Sequence, residues 1–325
     1  MQIDGPLFRD PLGDGAADPT VIWNPLERAW WMVYTARRVG DPENGVGWVH
    51  GTALGVASSN DHGKSWVYRG TMSGLALPGE WGQDTFWAPE IIEVRGVFHM
   101  YVAHVRGVPT TWSGSPRTMR HYVSEDLATW SFRSCLNLSS DRVIDACVYP
   151  LGNGSFRMWY KDEADGNSIW SADSDDLDEW RVNGSVLRTE VALEGPNVFF
   201  LGDSYWLIAD AKCQRVYRSD DLQSWTYAGT VLDIASAASS GRTDDLGPGL
   251  HAQVVVADGV GWAFYFTHPE RYRPDATAAN MRRSTIQVAA LLPDGDGLRC
   301  IRDSTVDVDL SAAEPPGSAT SVVFR

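Results

Sequence analysis

"EGPNVFFLGDSYWLIADA", Glu194 to Ala211, reads as a short motif opening an apolar strand, a Gly-Asp turn, and an aromatic-rich strand running back. The same pattern occurs four more times. In chain order the copies are "DPTVIWNPLERAWWMVYTA" from Asp18, "WAPEIIEVRGVFHMYVAH" from Trp87, "IDACVYPLGNGSFRMWYK" from Ile144 and, after the opening example, "HAQVVVADGVGWAFYFTH" from His251. A second repeat is interleaved with the first. "SNDHGKSW" (Ser59–Trp66), "SEDLATW" (Ser124–Trp130), "SDDLDEW" (Ser174–Trp180) and "SDDLQSW" (Ser219–Trp225) each lie between two further short strand-like runs. Ser and Asp can bond the turn's own backbone while the Trp packs inward. Together the two sets define a unit of four strands, and radial repetition of four-stranded sheets is a β-propeller. Five units predict an all-β, five-bladed propeller with four antiparallel strands per blade. The fifth unit lacks the Ser-Asp-Trp turn but has "IQVAALLPDGDGL" in its place.

Composition fits one compact domain over residues 1–325, because no linker interrupts the repeats. The formal charge of −15 disfavours nucleic acid or an anionic membrane surface as partner. No apolar run reaches a transmembrane length, and "MQIDGPLF" lacks the basic start and apolar core of a signal peptide, so a cytoplasmic location is expected. Cys135, Cys147, Cys213 and Cys300 show no metal-type spacing and are expected to be reduced packing residues.

The first strand of each propeller blade lines the central channel, so residues opening those strands gather at one end of the axis. Here they read as Asp18, Glu90, Asp145, Glu194 and His251. Carboxylates crowded at one mouth repel one another and shift each other's pKa values, a cost that function usually explains. Glu90, after Trp-Ala-Pro, reads instead as part of a structural corner.

At these residues the sequence resembles glycoside hydrolase family 43, the five-bladed propeller glycosidases. The resemblance spans essentially the whole chain and rests on the ordered series "ADPTVIW", "WAPEI", "VIDACVY", "EGPNVFF" and "GLHAQVV". It implies Asp18 as general base, Glu194 as general acid, and Asp145 as the residue that keeps the acid protonated and oriented. His251 is similar to the family's axial histidine, beside which some members hold calcium or another cation. No dense oxygen-ligand loop is visible, so no cofactor is required by the sequence. The chemistry is consistent with the residue types: glycoside hydrolysis needs one carboxylic acid to protonate the leaving oxygen and one carboxylate across the sugar to activate water. Inversion of the anomeric centre is the expected course. An oligosaccharide is the expected partner, with exo-acting α-L-arabinofuranosidase or β-xylosidase activity.

Specificity is expected from loops joining second and third strands. Those of blades one, two and five are long, "RRVGDPENGVGWVHG", "HVRGVPTTWSGSPR" and "HPERYRPDATAANMR", whereas blades three and four have only "DEADGN" and "ADAKCQR". A pocket open on one side follows. Trp48, Trp112 and Tyr272 are candidates to stack on sugars, as are Phe86 and Trp87 beside the second inner strand. Arg282 or Arg283 resembles a substrate-contacting arginine of the family.

Two related architectures are set aside on residues. Fructan-cleaving propellers use Asn-Asp-Pro and Glu-Cys settings, whereas Ala17 precedes Asp18 and Gly195 follows Glu194; "FRDP" at Phe8–Pro11 stands before the first acid, in the wrong order. Sialidases share the turn matched at Ser59–Trp66 but need an arginine triad and a tyrosine nucleophile that these repeats do not supply. A non-catalytic carbohydrate-binding or docking propeller would be expected to repeat its site around the ring, and the five converging positions differ.

Overall fold

The computed structural model describes residues 5–41, 45–80, 82–238, 240–242, 244–303 and 305–315. Five sheets of four antiparallel strands, each a simple meander, are arranged as the blades of a propeller. Blade 1 holds β1 (Ala16–Asn24), β2 (Ala29–Ala36), β3 (Ala53–Ser59) and β4 (Val67–Thr71). Blade 2 holds β5 (Thr85–Val94), β6 (Val97–Val105), β7 (Thr118–Ser124) and β8 (Ser131–Cys135). Blade 3 holds β9 (Val143–Leu151), β10 (Ser155–Asp162), β11 (Ser168–Ser174) and β12 (Arg181–Leu187). Blade 4 holds β13 (Glu194–Leu201), β14 (Ser204–Asp210), β15 (Gln214–Ser219) and β16 (Thr226–Val231). Blade 5 holds β17 (Leu250–Ala257), β18 (Val260–Thr267), β19 (Thr285–Asp294) and β20 (Gly297–Ile301). A short helix, α1 (Ile234–Ala238), lies in the connection between blades 4 and 5. No helix among the described residues is long and apolar enough to cross a membrane.

The second strands are largely buried, as β2 and β14 show, whereas the outermost strands meet solvent, β4 alternating along its length and β8 mostly exposed. The recurring Ser-Asp-Trp turn explains how neighbouring blades are wedged together. In the blade 4 copy, Ser219 Oγ accepts the amides of Asp221 and Leu222 at 3.2 and 2.9 Å. Asp221 Oδ1 accepts those of Gln223 and Ser224, both at 2.8 Å. These bonds hold Leu222 at φ +60°, a conformation leucine rarely adopts, and deliver Trp225 edge-on to Trp159 of blade 3. Trp180 likewise meets Tyr101 of blade 2, and Trp66 meets Phe264 of blade 5. The turn recurs in the first four blades because each of them delivers the same wedge to a neighbour. Replacing Ser219 by Ala removes the acceptor for two turn amides and should cost about 1 kcal/mol. A lower denaturant midpoint at unchanged m-value would show it, and an unchanged midpoint would mean the turn is held by Trp packing alone.

The ring is closed by both chain ends. The N-terminal segment bridges to blade 5 through Phe8–Ile286 and Gly15–Ser284 pairs. Val308 and Leu310 from the C-terminal side pack into the blade 1–blade 5 core, where the Leu310 amide bonds the His62 carbonyl at 3.0 Å. All four cysteines are free; Cys147 alone among them is buried, and Cys135 is exposed.

Candidate active site

Every inner strand carries an irregularity near its start, where the register with the second strand slips: between Ala17 and Thr20, Trp87 and Glu90, Glu194 and Asn197, Leu250 and Gln253, and opposite Trp159 and Lys161 in blade 3. At each bulge one residue has positive φ, namely Asp18, Ala88, Asp145, Gly195 and His251. These five are the true structural equivalents. They correct the set of equivalents read from sequence, Asp18, Glu90, Asp145, Glu194 and His251, because a one-residue offset turns a strand side chain to the other face and a two-residue offset moves it along the strand.

Glu90 lies two residues past the bulge, and its counterparts there are Thr20, Cys147, Asn197 and Gln253. This layer binds the blades to one another. Glu90 Oε1 accepts the Val148 amide at 2.8 Å, Cys147 Sγ the Val198 amide at 3.2 Å, Asn197 Oδ1 the Val254 amide at 2.9 Å, and Gln253 Oε1 the Val21 amide at 2.6 Å. Burial pushes the Glu90 carboxyl up to about 8, so it is neutral here. Its place is structural, as the Trp-Ala-Pro context suggested.

Glu194 lies one residue before its bulge, at the position occupied elsewhere by Ala17, Trp87, Ile144 and Leu250. An acid interrupts an otherwise apolar series. Its side chain is 47% exposed, and Lys161 Nζ donates to its Oε2 at 2.8 Å. Gly195, at φ +53°, is required: a Cβ there would lie 2.9 Å from the His251 ring.

Asp18, Asp145 and His251 face one another. His251 Nδ1 is 3.6 Å from Asp18 Oδ1 and 4.0 Å from Asp145 Oδ1, and both carboxylates are only 8% exposed. Arg37 Nη2 reaches both Asp18 oxygens, at 3.3 and 3.4 Å. Asp145 accepts the Gly195 amide at 3.0 Å. Burial pushes Asp145 up to about 6, with His251 opposing and the Glu194 charge adding to the rise. Asp210, opposite Glu194 in the β13–β14 register, is raised well above the usual carboxylate range by burial and then by Glu194. It accepts the Lys212 and His251 amides at 3.0 and 3.3 Å.

Lys161 and Asp210 were not singled out from sequence. The signal was available: the positions paired across the bulge are Thr35, Ala103, Lys161, Asp210 and Phe266, so "MWYK" and "LIAD" end apolar strands on a charge.

Asp18, Arg37, Asp145, Glu194, Asp210 and His251 line one cavity of about 640 Å³. Trp48, Trp87, Trp112 and Tyr272 line it with them. The long loops of blades 1, 2 and 5 therefore do rise around the site. The side expected to stand open is partly filled by the segment between blades 4 and 5, which contributes Ile234 and Pro248. Phe86 is not at the cavity: alternation along β5 sends it into the blade 1–blade 2 core, with its ring 5.3 Å from His104. Arg282 does not line the cavity either; it donates to the Asp41 carbonyl at 3.1 Å and sits 5.7 Å over Trp48, bracing that wall. Arg283 is held by Asp14, Glu270 and Asp244 at 2.6, 3.1 and 3.5 Å and likewise is not among the residues lining the cavity.

The residues around His251 do not fit a bound calcium. Calcium takes about six to eight oxygen ligands, whereas the axial oxygens in the layer beyond His251 already accept backbone amides, as given above. Among the described residues the one acid–histidine group tight enough for a metal is Glu80, Asp84 and His104, off the axis. There Glu80 is paired with Arg120, and Asp84 with His104 and the Gly107 amide.

No family model matches this sequence, and no curated protein does. Solved structures do. A family 43 β-xylosidase/α-arabinofuranosidase from a compost microbial metagenome, in a calcium-free complex with xylotriose, superposes with a TM-score of 0.68 at 15% identity, covering 94% of this chain and 99% of that one. A family 43 enzyme from Xanthomonas citri complexed with xylotriose gives 0.66 at 15% identity, covering 94% and 96%. An exo-1,5-α-L-arabinanase from a bovine ruminal metagenomic library gives 0.59 at 17% identity, covering 88% and 96%. The chain thus has the complete fold of these five-bladed enzymes.

Proposed function

We propose that the protein is an inverting glycoside hydrolase of the family 43 type, acting on terminal α-L-arabinofuranosyl or β-D-xylosyl units of oligosaccharides. The observation that carries the reading is the placement of Asp18 and Glu194, from blades 1 and 4, around one cavity with Asp145 and His251 between them. What supports the substrate class is the company of structural neighbours, among them enzymes complexed with xylotriose.

In this mechanism Asp18 takes a proton from a water as that water attacks the anomeric carbon. Arg37 holds the carboxylate in place from behind. Glu194, on the other side of the bound sugar, gives its proton to the departing oxygen, so the glycosidic C–O bond breaks as the new one forms. Lys161 fixes the rotamer of Glu194. Asp145, raised to about 6, and Asp210, raised well above the usual carboxylate range, both feel the Glu194 charge, so the three carboxyls do not all ionise together. Trp48, Trp112 and Tyr272 offer faces to the sugar rings.

Water must fit between base and anomeric carbon, which in inverting enzymes sets the two carboxyls about 6.5 to 9.5 Å apart. Proton NMR of the first-formed sugar tests the reading. The expected product carries the anomeric configuration opposite to that of the substrate; retention would reassign Asp18 as a nucleophile, and no release from any nitrophenyl glycoside would favour a binding propeller.

A further inference from the structure

Positive charge in the cavity is distributed unevenly, and part of it has no counter-charge. Glu163 is met by Arg117 at 2.9 Å and by Lys161 at 3.7 Å, Glu194 by Lys161, and Asp18 by Arg37. Arg271 lines the same cavity beside Tyr272, yet its Nε reaches only the Met281 carbonyl, at 3.3 Å. Among the described residues no carboxylate pairs with it. Burial lowers the Arg271 pKa, Tyr272 opposes that and Arg37 adds to it, so the two guanidiniums lie within reach of each other's field. Arg37 itself is 4.6 Å over Phe266 and 6.0 Å over Trp48, a stacked and fixed position. Lys212, also lining the cavity, has no ion pair among the described residues.

The neighbouring polar groups are those of a recognition site. His268 Nδ1 must donate to the Arg283 carbonyl, 2.7 Å away, because a carbonyl can only accept. Burial and the two arginines keep the ring neutral, so Nε2 is left as an acceptor suited to a sugar hydroxyl. The wall is built for close approach: Gly247, at φ +80°, lies under Tyr272, where a Cβ would fall 2.1 Å from the ring. Arg37 is already paired with Asp18, so Arg271 is the pocket arginine left without a carboxylate, in a chain whose net charge of −15 offers acidic residues in excess.

We infer that the pocket takes an anionic glycoside, one whose sugar or adjoining branch presents a uronic carboxylate or a sulfate ester to Arg271. A guanidinium binds either anion through paired N–H donors. This rests on the glycosidase reading and narrows it: unsubstituted arabinofuranosides and xylosides would be incomplete substrates.

The test pairs each anionic compound with its neutral parent: nitrophenyl uronides and sulfated glycosides against neutral glycosides, and glucuronyl-substituted xylo-oligosaccharides against plain ones. Preference for the anionic member by roughly 10- to 100-fold in kcat/KM is expected, the span of one charge-assisted contact. The ratio should fall towards one in Arg271→Met, stay partly intact in Arg271→Lys, and shrink with added salt. Uronide and sulfate arms tell the two anions apart. Equal or better use of neutral members by the wild type overturns the inference while leaving the hydrolase intact. If nothing is hydrolysed, calorimetric binding of glucuronate in preference to glucose, lost in Arg271→Met, would keep the anionic site and sink the hydrolase; equal binding of both sugars overturns the site.

Discussion

Glu194→Ala is expected to lower turnover about 10²- to 10⁴-fold on glycosides with sugar or alkyl leaving groups, and far less on dinitrophenyl glycosides. A dinitrophenolate departs without a proton, so only the poor leaving groups need the acid. Asp18→Ala should lose a similar factor on both kinds, since a water must be activated whatever departs. The contrast separates two carboxylates that a bare loss of activity would not. Glu194 is half exposed, so its truncation should leave the circular dichroism and unfolding midpoint almost unchanged. Equal losses for Glu194→Ala on both leaving-group classes would remove it as the acid, and near wild-type turnover in Asp18→Ala would remove the base.

The largest stability effect is expected away from the chemistry, at Asp245. This carboxylate is fully buried and receives Arg302 through Nη2 at 2.6 Å, Arg242 through Nη1 at 3.4 Å, and the Tyr265 hydroxyl at 3.0 Å. The same arginines tie the segment between blades 4 and 5 to the ring. Arg302 bonds the Asp233 and Gly247 carbonyls, at 3.1 and 2.8 Å, and Arg242 bonds the Val288 carbonyl at 2.9 Å. Asp245→Ala leaves two buried guanidiniums without a counter-charge, and breaking a buried pair in this way costs about 3 to 5 kcal/mol. For a domain of this size the melting temperature should fall by roughly 4 to 7 °C. A matched triple variant, Asp245→Leu with Arg242→Met and Arg302→Met, should recover much of the loss, because replacing a whole buried ion cluster with apolar side chains is often close to neutral. A loss below about 1 kcal/mol in Asp245→Ala would mean that water reaches the network. Since Ile234 and Pro248 of this segment line the cavity, KM should rise with the instability.

The propeller was legible because each blade must solve the same packing problem. A strand buried on both faces reads as an apolar run, and the wedge between blades calls for the same turn. Hence "SDDLQSW" recurs with its Ser, Asp and Trp in register, and the five inner strands can be counted in the sequence alone. Asp18, Asp145, Glu194 and His251 could be found for the same reason, since charges that break apolar strand openings stand out against their counterparts.

What the chain order could not supply is the level and direction of each side chain. The bulges at the five strand openings place Asp145 and His251 at the positive-φ position, Glu194 one residue before it and Glu90 two beyond. A slip of one residue changes direction and a slip of two changes level, and neither leaves a mark on the apolar pattern. Partners distant in sequence were equally hidden. Arg283 resembles a free cation until Asp14, 269 positions away, closes on it, and Phe86 resembles a platform until β5 turns it into the core. Lys161 meets Glu194 and Arg37 meets Asp18 only after the strands pair and the blades close. Local apolar and turn patterns are dictated by contacts that repeat from blade to blade, and these the sequence by itself determined. The electrostatics of the site depend on unlike residues brought together once, by ring closure, and only the tertiary structure decided those.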